Sequence, residues 1–225
     1  MSSLNIAIDG PVGCGKSTLA KRLAERLALT FLDTGAMYRA VALYLSSQKG
    51  ITSSEEFHMG LLDDCVLAFD DDNHILLGGE VVEDKIRTPQ IGALASEFSK
   101  LQGLREFLVR QQQDIVKQGG YIAEGRDIGT HVMPDASLKI YLTAELAVRA
   151  KRRFDDYVQQ GISTTLEEVT REVQERDERD MNRSLAPLQK TDDAIEVDTS
   201  AMSIEDLVSH IEGLYRQVER SRQVS

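Results

Sequence analysis

The chain has 225 residues, of which 41% are apolar and 28% are charged, so its size and composition are those of a globular protein of one or two domains. No apolar run approaches the ~20 residues of a membrane-spanning helix, and two cysteines form neither a disulfide framework nor a metal site. Aromatic residues make up only 5% of the chain and include no tryptophan, which disfavours a stacking platform for single-stranded nucleic acid. The formal net charge is −11, but residues 55–84 hold ten acidic residues and no Lys or Arg. Elsewhere 26 basic residues meet 27 acidic ones, so the net charge does not exclude the binding of anionic ligands by the rest of the chain.

The N-terminal part of the chain predicts alternating strands and helices. Residues 1–5 lack the basic region and apolar stretch of a secretory signal, so we expect a cytoplasmic protein. Residues 4–9 form a short apolar run that ends in a glycine-rich turn, which is typical of a buried strand. Leucines repeat every fourth residue over 16–28 and give one apolar helix face, and a second strand and helix are predicted at 30–33 and 36–47. This spacing indicates βαβ units and a parallel sheet.

The acidic segment interrupts that alternation. Three short strand-like runs at residues 66–69, 75–77 and 81–82 are separated by turn-forming residues, so they predict a small antiparallel appendage. Residues 89–118 carry apolar residues at helical spacing, and Gly103 divides them into two predicted helices.

The C-terminal half restores the alternation. Strands are predicted at residues 121–124 and 138–142, and a charged stretch over 144–183 is predicted to be helical. A last strand at 194–198 and a terminal helix at 203–222 follow. The predicted fold class is α/β, with a five-stranded parallel sheet flanked by helices on both faces and one small β insert.

Residues 10–17, with the sequence GPVGCGKS, match the phosphate-binding motif G-x-x-x-x-G-K-[ST] in full. They lie between a predicted strand and a predicted amphipathic helix, which is the context that the motif requires. Glycines let backbone N–H groups turn toward a phosphate chain, and the helix N-terminus adds positive partial charge. Lys16 is expected to reach the β- and γ-phosphates and the Ser17 hydroxyl to ligate Mg²⁺. The predicted triphosphate-binding residues of this phosphate loop are Gly10, Pro11, Val12, Gly13, Cys14, Gly15, Lys16, Ser17 and Thr18.

Three uses of a bound triphosphate remain open from the motif alone. A GTPase switch requires an N/T-K-x-D sequence that reads guanine, and residues 189–192 come close but begin with Gln. A transport or repair ATPase requires a long apolar strand that ends in an acidic magnesium ligand, and none is evident in the sequence. A small-molecule kinase requires a second anion site facing the γ-phosphate, for which the chain supplies 17 Arg residues.

Five segments of the chain form a recognisable set. They are the phosphate loop with its preceding Ile-Asp, DTGAMYR at residues 33–39, IRT at 86–88, EGRDIG at 124–129 and RDERDMNR at 176–183. Taken together and in this order, they resemble bacterial cytidylate kinases of the nucleoside monophosphate kinase family. The resemblance implies a P-loop kinase that transfers the γ-phosphoryl group of ATP to CMP or dCMP by direct in-line transfer, with Mg²⁺.

The resemblance also implies a division of residues 1–225 into three parts. The core comprises about 1–35, 104–145 and 184–225, the monophosphate-binding region with its β insert about 36–103, and the helical lid with the following helix about 146–183. Closure of a lid excludes water, which otherwise accepts the phosphoryl group.

The same resemblance implies which cations hold the phosphates. Arg39, Arg105 and Arg126 match positions that bind the CMP phosphate, and Arg183 matches a further anion-contacting position. The implied catalytic residues are Lys16, Arg126 and Arg183. For any one arginine, a solvated surface position or an ion pair is the alternative.

Cytosine recognition is implied for a second group of residues. Asp127 and Arg176 match positions that accept from the cytosine amino group and donate to its N3 or O2. Thr34 also offers a hydroxyl, where the family often has Ser, and its added methyl group alters the fit. Ser96 and Asp180 match positions associated with the sugar hydroxyls. A structural ion pair with the neighbouring arginine is the alternative for Asp127.

Four positive charges in residues 149–153 open the predicted lid. Arg149 and Arg153 are four residues apart and so share a helix face, which indicates ATP binding by a closing lid, with a solvated helix face as the alternative. The expected partners are ATP and CMP or dCMP, without nucleic acid or membrane, and the chain is expected to be a monomer. Two other functions remain open: a kinase for another small acceptor and a nucleotide-sensing binding module.

Overall fold

A computed structural model describes residues 4–224, so residues 1–3, on which the prediction of no secretory signal partly rests, lie outside the described residues. The chain divides into two compact units. One contains the residues up to Phe31 and from Val116 onward, and the other is Leu32–Ile115. The predicted division into core, monophosphate-binding region and lid stays a prediction.

The helices and strands follow the predicted alternation. In chain order they are β1 (Ile6–Asp9), α1 (Lys16–Leu27), β2 (Thr30–Asp33), α2 (Thr34–Gln48), β3 (Leu67–Phe69), β4 (Ile75–Leu77), β5 (Glu80–Val81), α3 (Glu83–Ile86), α4 (Pro89–Phe98), α5 (Gln102–Val116), β6 (Tyr121–Gly125), β7 (Leu138–Thr143), α6 (Leu146–Gln159), α7 (Leu166–Asn182), β8 (Ile195–Asp198) and α8 (Ile204–Val224). Short 3₁₀ turns at Ser54–Glu56 and Met59–Leu62 and a π-helical turn at Ile128–Val132 complete the described chain.

Within residues 4–224, five strands form one sheet in the order β2-β6-β1-β7-β8. The pairings of β1 with β6 and β7, and of β7 with β8, are parallel, so the predicted parallel sheet is confirmed. Asp9 aligns with Gly125 on one side and with Tyr141 on the other. The phosphate loop after β1 and the segment after β6 therefore leave the sheet at the same edge, where open α/β sheets bind their ligands.

The core of the first unit explains the apolar patterns of β1 and α1. Ile6 and Ile8 are fully buried, as expected for a parallel strand between two helical layers. Leu19 and Leu23, on the helix face predicted from leucine spacing, are fully buried as well, and Ile211 of α8 belongs to the same cluster.

In the second unit the acidic segment forms the predicted antiparallel appendage. Leu67 of β3 lies opposite Leu77 of β4, and Leu77 in turn lies opposite Glu80 of β5. Ile75 is fully buried and Leu77 nearly so, whereas Glu80 is exposed. Ile75 and Leu77 of β4 therefore face the interior of the unit, whereas the two residues of β5 are exposed.

The break between α4 and α5 differs from the predicted one. The helices separate at residues 99–101, whereas Gly103 lies in the first turn of α5. A Cβ atom at Gly103 would lie 2.4 Å from Sδ of Met59. The glycine therefore allows a close approach of the Met59 side chain to the helix and does not break the helix.

The charged stretch over 144–183 forms two helices, α6 and α7. The chain turns at Gly161, whose φ is +72°, and Thr165 begins α7 with a capping box. The Thr165 hydroxyl accepts from the backbone N–H of Glu168, and the Glu168 carboxylate accepts from the backbone N–H of Thr165.

Candidate active site

The phosphate loop follows β1 and contains three glycines at positions where any other residue would strain the backbone. Gly10, Gly13 and Gly15 have φ values of +150°, +76° and +94°. A Cβ atom at Gly10 would lie 2.2 Å from the Leu142 carbonyl oxygen, and one at Gly13 would lie 2.8 Å from the Arg149 carbonyl oxygen. The loop is therefore shaped by backbone conformation and by close approach of its neighbours.

Lys16, the first residue of α1, is buried and turned back into the loop. Its Nζ donates to the Pro11 carbonyl at 2.7 Å and to Cys14 Sγ at 3.7 Å. Burial lowers the pKa of Lys16, and the positive charge of Arg126 lowers it further. Cys14 is fully buried, and its thiol also donates to the Pro11 carbonyl.

Ser17 connects the start of α1 to the end of β6. Its hydroxyl donates to Glu124 Oε1 at 2.7 Å. A hydroxyl beside a carboxylate provides the hard oxygen ligands that Mg²⁺ prefers. In the part of the chain that the structure describes, no group of three His, Cys, Asp or Glu side chains forms an all-protein metal site. The residues present therefore fit a magnesium ion that takes its other ligands from substrate phosphates and water.

The loop is also held from its outer side by α6 and by the end of β8. Arg149, predicted to bind ATP, donates to the Val12 carbonyl at 3.1 Å and forms a buried ion pair with Asp177. Thr199, just after β8, donates its hydroxyl to the Cys14 carbonyl at 3.1 Å. Arg149 thus contacts the loop backbone, a contact that the sequence did not predict.

Arg153, the second predicted lid cation, belongs to a polar cluster on α6 and α7. Its Nη2 donates to the Tyr157 hydroxyl at 2.7 Å, and its guanidinium lies 4.4 Å from the centre of the Tyr157 ring. The Tyr157 hydroxyl in turn donates to the Glu172 carboxylate at 3.0 Å. Burial raises the pKa of Tyr157; the charge of Arg153 acts to lower it, and the charge of Glu172 acts to raise it.

The segment after β6 places two predicted substrate-binding residues beside α7. Arg126 Nε donates to Asp180 Oδ2 at 2.7 Å. Burial acts to raise the pKa of Asp180, but Arg126 and Arg176 outweigh it and lower the pKa. Asp127 lies 3.8 Å from Arg183 Nη2. The structure therefore brings together five predicted residues within the first unit, and Asp127 is ion-paired with Arg183 there.

Asp9, the last residue of β1, holds the segment that carries Asp127. Its carboxylate accepts from the backbone N–H groups of Ile128 and Gly129, both at 2.8 Å. Burial raises the pKa of Asp9 to about 6, although these hydrogen bonds act to lower it. A Cβ atom at Gly129 would lie 3.3 Å from Asp9 Oδ2, so the glycine allows this close contact.

The second unit contains the other predicted CMP-binding residues, Thr34, Arg39, Ser96 and Arg105. Arg105 is buried, donates to the Ser99 carbonyl at 3.3 Å and lies over the Tyr38 ring at 5.9 Å. Thr34 begins α2 and is buried. Their roles in substrate binding stay predictions.

Asp33 organises the start of α2 in this unit. It accepts from the Ala36 N–H as the helix cap at 2.8 Å and from Arg87 Nη2 at 2.8 Å. Burial acts to raise the pKa of Asp33, but the charges of Arg87 and then Arg39 outweigh it and lower the pKa. Arg87 belongs to one of the family motifs, but the sequence gives it no role. The structure shows that it binds Asp33, the residue that caps α2.

A protein-family model described as "Cytidylate kinase" matches residues 6–217. The chain belongs to the cytidylate kinase family. It is 45% identical over 214 residues to a cytidylate kinase of Thermotoga maritima, covering 94% of this chain and 96% of the relative. It is 42% identical over 231 residues to a cytidylate kinase of Caldicellulosiruptor bescii, covering 98% and 99% of the two chains. As a cytidylate kinase family member, the chain phosphorylates CMP or dCMP with ATP.

Comparison with solved structures supports the α/β fold of this cytidylate kinase family member. An uncharacterised protein from Eubacterium ventriosum aligns with a TM-score of 0.51 at 14% identity and covers 96% of this chain and 99% of that chain. At that identity the likeness concerns the fold alone. No helix among the described residues has the length and apolar character needed to cross a membrane.

Proposed function

We propose that this chain carries out the cytidylate kinase reaction by direct in-line transfer of the γ-phosphoryl group, with the phosphate loop as its ATP site. The observation that carries the proposal is the buried ammonium of Lys16, held inside a loop shaped by three glycines with positive φ. Backbone N–H groups of such a loop and the N-terminus of α1 stabilise the triphosphate, and Lys16 neutralises charge on its β- and γ-phosphates.

The acceptor requires no general base. The second pKa of a phosphate monoester is about 6, so the attacking oxygen of CMP is already ionised near neutral pH. The difficulty is instead the approach of two polyanions, which positive side chains must offset.

Arg126 and Arg183 supply that positive charge in the first unit. Arg126 is oriented by its hydrogen bond to Asp180, and Arg183 Nε donates to the Ala186 carbonyl at 2.5 Å. Because these contacts hold both guanidinium groups before substrate binds, little reorganisation is needed during transfer. Together with Lys16 they are the proposed catalytic residues.

Cytosine selection is assigned to Asp127 and Arg176. A carboxylate accepts from the exocyclic amino group of cytosine, and an arginine donates to its ring acceptors, whereas uracil presents the opposite pattern at the amino position. The hydroxyl of Thr34 is a further acceptor for the amino group. Asp180 and Ser96 are proposed to bind the sugar hydroxyls.

In the second unit, Arg39 and Arg105 are proposed to bind the CMP phosphate. Arg105 suits this role because its burial and its contacts with Ser99 and Tyr38 fix the guanidinium in place. Arginine is the preferred partner for phosphate because its planar guanidinium donates two parallel hydrogen bonds.

Ser17, with Glu124 beside it, would hold Mg²⁺. When bound, the ion neutralises charge on the β- and γ-phosphates. Glu124 orients the Ser17 hydroxyl through the hydrogen bond between them. Arg153 is proposed as the lid cation on the ATP side, and Arg149 as a residue of the ATP site that holds the backbone of the phosphate loop. We further propose that the protein is cytoplasmic, since its substrates are cytoplasmic nucleotides. We also propose that it is a monomer, which light scattering after size exclusion tests.

A coupled assay for ADP release, run with Mg²⁺ and ATP against CMP, dCMP, UMP and AMP, tests the proposed function. We expect turnover with CMP and dCMP well above that with UMP and AMP. Turnover only with another acceptor would favour a different small-molecule kinase. Nucleotide binding with a change of shape, but no transfer to any monophosphate, would favour a nucleotide-sensing module.

A further inference from the structure

Val12 of the phosphate loop is held on three sides by α6 and α7. Its backbone N–H donates to Asp177 Oδ1 at 3.3 Å, and its backbone carbonyl accepts from Arg149 Nη1 at 3.1 Å. Its side chain packs against the small apolar cluster that the two helices form around Tyr157. Both polar groups of this residue and its side chain therefore have partners outside the loop.

The two side chains that hold Val12 also hold each other. Arg149 Nη1 donates to Asp177 Oδ2, and Arg149 Nε donates to the Ala144 carbonyl at 2.9 Å. Both residues are buried, with exposed fractions of 8% for Arg149 and 6% for Asp177. A buried pair with its hydrogen-bonding groups engaged has a fixed geometry, unlike the exposed Lys151 on the same helix.

The backbone of α6 also approaches the loop closely. A Cβ atom at Gly13 would lie 2.8 Å from the Arg149 carbonyl oxygen and 3.1 Å from the Arg149 Cβ. The position of α6 therefore constrains the peptide unit that precedes the amides expected to bind the β-phosphate.

We propose that Asp177 is a positioning residue for ATP, which fixes the phosphate loop through Arg149 and through the Val12 backbone. The inference rests on the proposed function, because ATP is the ligand of the loop there. Asp177 does not touch the substrate in this role. It keeps the loop amides in the arrangement that a phosphate requires, so that binding ATP does not first have to order them.

The alternative role for the pair has the opposite consequence. If Arg149 bound an ATP phosphate directly and Asp177 only competed for its guanidinium, removal of the Asp177 carboxylate would release Arg149 and tighten ATP binding. Under the positioning role the same change loosens the loop and weakens ATP binding. The sign of the change in KM for ATP therefore separates the two.

The first experiment compares Asp177→Asn with Glu175→Gln, which removes one negative charge from an exposed position on the same helix. We expect the KM for ATP to rise on the order of tenfold in D177N, with the KM for CMP within about twofold of wild type. We also expect faster amide hydrogen exchange over residues 10–16 in D177N than in E175Q. A KM for ATP that is unchanged or lowered in D177N overturns the proposal.

The second experiment separates positioning from stability. Arg149→Met combined with Asp177→Leu replaces the buried ion pair by apolar side chains, which restores stability lost in a single variant but gives the Val12 backbone no partner. We expect the melting temperature of the double variant to exceed that of Asp177→Ala while its KM for ATP stays raised. Recovery of the KM together with the melting temperature overturns the proposal. If D177N does not fold, amide exchange of the double variant without ATP decides: faster exchange over residues 10–16 than in wild type supports the positioning role, and unchanged exchange overturns it. An inactive wild-type protein would instead contradict the proposed function itself.

Discussion

The hydroxyl of Ser17 donates a hydrogen bond to Glu124, 2.7 Å away, and joins the first turn of α1 to the last part of β6. This contact links a residue of the phosphate loop to the neighbouring strand.

Glu124→Gln keeps an oxygen that can accept this hydrogen bond but removes the negative charge. We expect the Mg²⁺ concentration for half-maximal rate to rise on the order of tenfold, with the KM for CMP little changed. A Mg²⁺ titration of activity measures this, with Glu25→Gln on the exposed face of α1 as the control. A superimposable Mg²⁺ curve would contradict the assignment.

Lys16→Met should abolish turnover without unfolding the protein. The Lys16 ammonium offsets negative charge on the phosphoryl group during its transfer, so we expect kcat to fall on the order of a thousandfold when it is removed. The substitution removes the hydrogen bond to the Pro11 carbonyl but also removes a buried positive charge, so stability should change by no more than about 1 kcal/mol. Chemical denaturation and the ADP-release assay measure both effects. Lys21→Met, exposed on the same helix, should behave as wild type; wild-type activity in K16M refutes the mechanism.

Asp127→Ala should impair the use of CMP more than the binding of ATP. Loss of the acceptor for the cytosine amino group should lower kcat/KM for CMP by roughly tenfold to a hundredfold. The KM for ATP should change little, because Asp127 contacts the CMP side in the proposed reaction. The same assay with CMP and UMP measures the effect, with the exposed Asp135→Ala as the control. If the rates with CMP and UMP fall equally, Asp127 is a structural partner of Arg183 and does not read the base.

Asp9 should make stability depend on pH. Its pKa is about 6 in the folded protein, against an ordinary value of 3.8, so the folded state retains the proton over this range while the unfolded state loses it. The contribution of Asp9 to the free energy of unfolding is fully present below pH 4 and is lost as the pH rises through 6. This loss lowers the free energy of unfolding by roughly 3 kcal/mol. Unfolding free energies of wild type and Asp9→Asn, measured from pH 4 to 8, test this.

Asp9→Asn also loses one of two acceptors for the Ile128 and Gly129 amides, which lowers stability by about 1 kcal/mol at every pH. That loss is constant, whereas the titration term is not. We therefore expect the stability of wild type relative to the variant to fall as pH rises from 4 to 6. A difference that stays flat across this range means that Asp9 titrates normally.

Two glycines with similar backbone angles provide a matched pair. Gly13 and Gly161 have φ values of +76° and +72°, so alanine costs roughly 1–2 kcal/mol of backbone strain at either position. A Cβ atom at Gly161 meets nothing within 4 Å, whereas one at Gly13 meets the Arg149 carbonyl at 2.8 Å. Gly13→Ala should therefore lose more stability than Gly161→Ala and should also weaken ATP binding. Melting curves and the KM for ATP compare the two, and equal losses would show that the contact with α6 is unimportant.

The sequence predicts most of the fold because its elements have a clear hydrophobic period. Residues 30–33 were predicted as a strand and form β2 with those bounds, and the leucine spacing of α1 identifies its buried face. Elements without a period were missed. The four-residue helix Glu83–Ile86 is too short to show one, and the π-helical turn at Ile128–Val132 depends on the hydrogen bonds that Asp9 accepts.

The candidate site divides along the same line. The phosphate loop is a local motif, so its residues could be named in advance. The contact of Val12 with Asp177 joins residues 165 positions apart, and the pairing of Asp33 with Arg87 joins residues 54 positions apart. No local spacing encodes such contacts, so Arg149 was predicted as a lid cation and its engagement with the loop backbone was not.

The short antiparallel sheet of the second unit bears on self-association. Its β5 strand has only two residues, Glu80 and Val81, which are both exposed, and it lies at one edge of the three-stranded sheet. Such edges template strand addition between copies of a protein, and brevity together with negative charge opposes it. The edge position of β5 would allow a strand of a second copy to pair with it. The acidic residues of segment 55–84 make such aggregation unfavourable, because their negative charges repel those of the second copy.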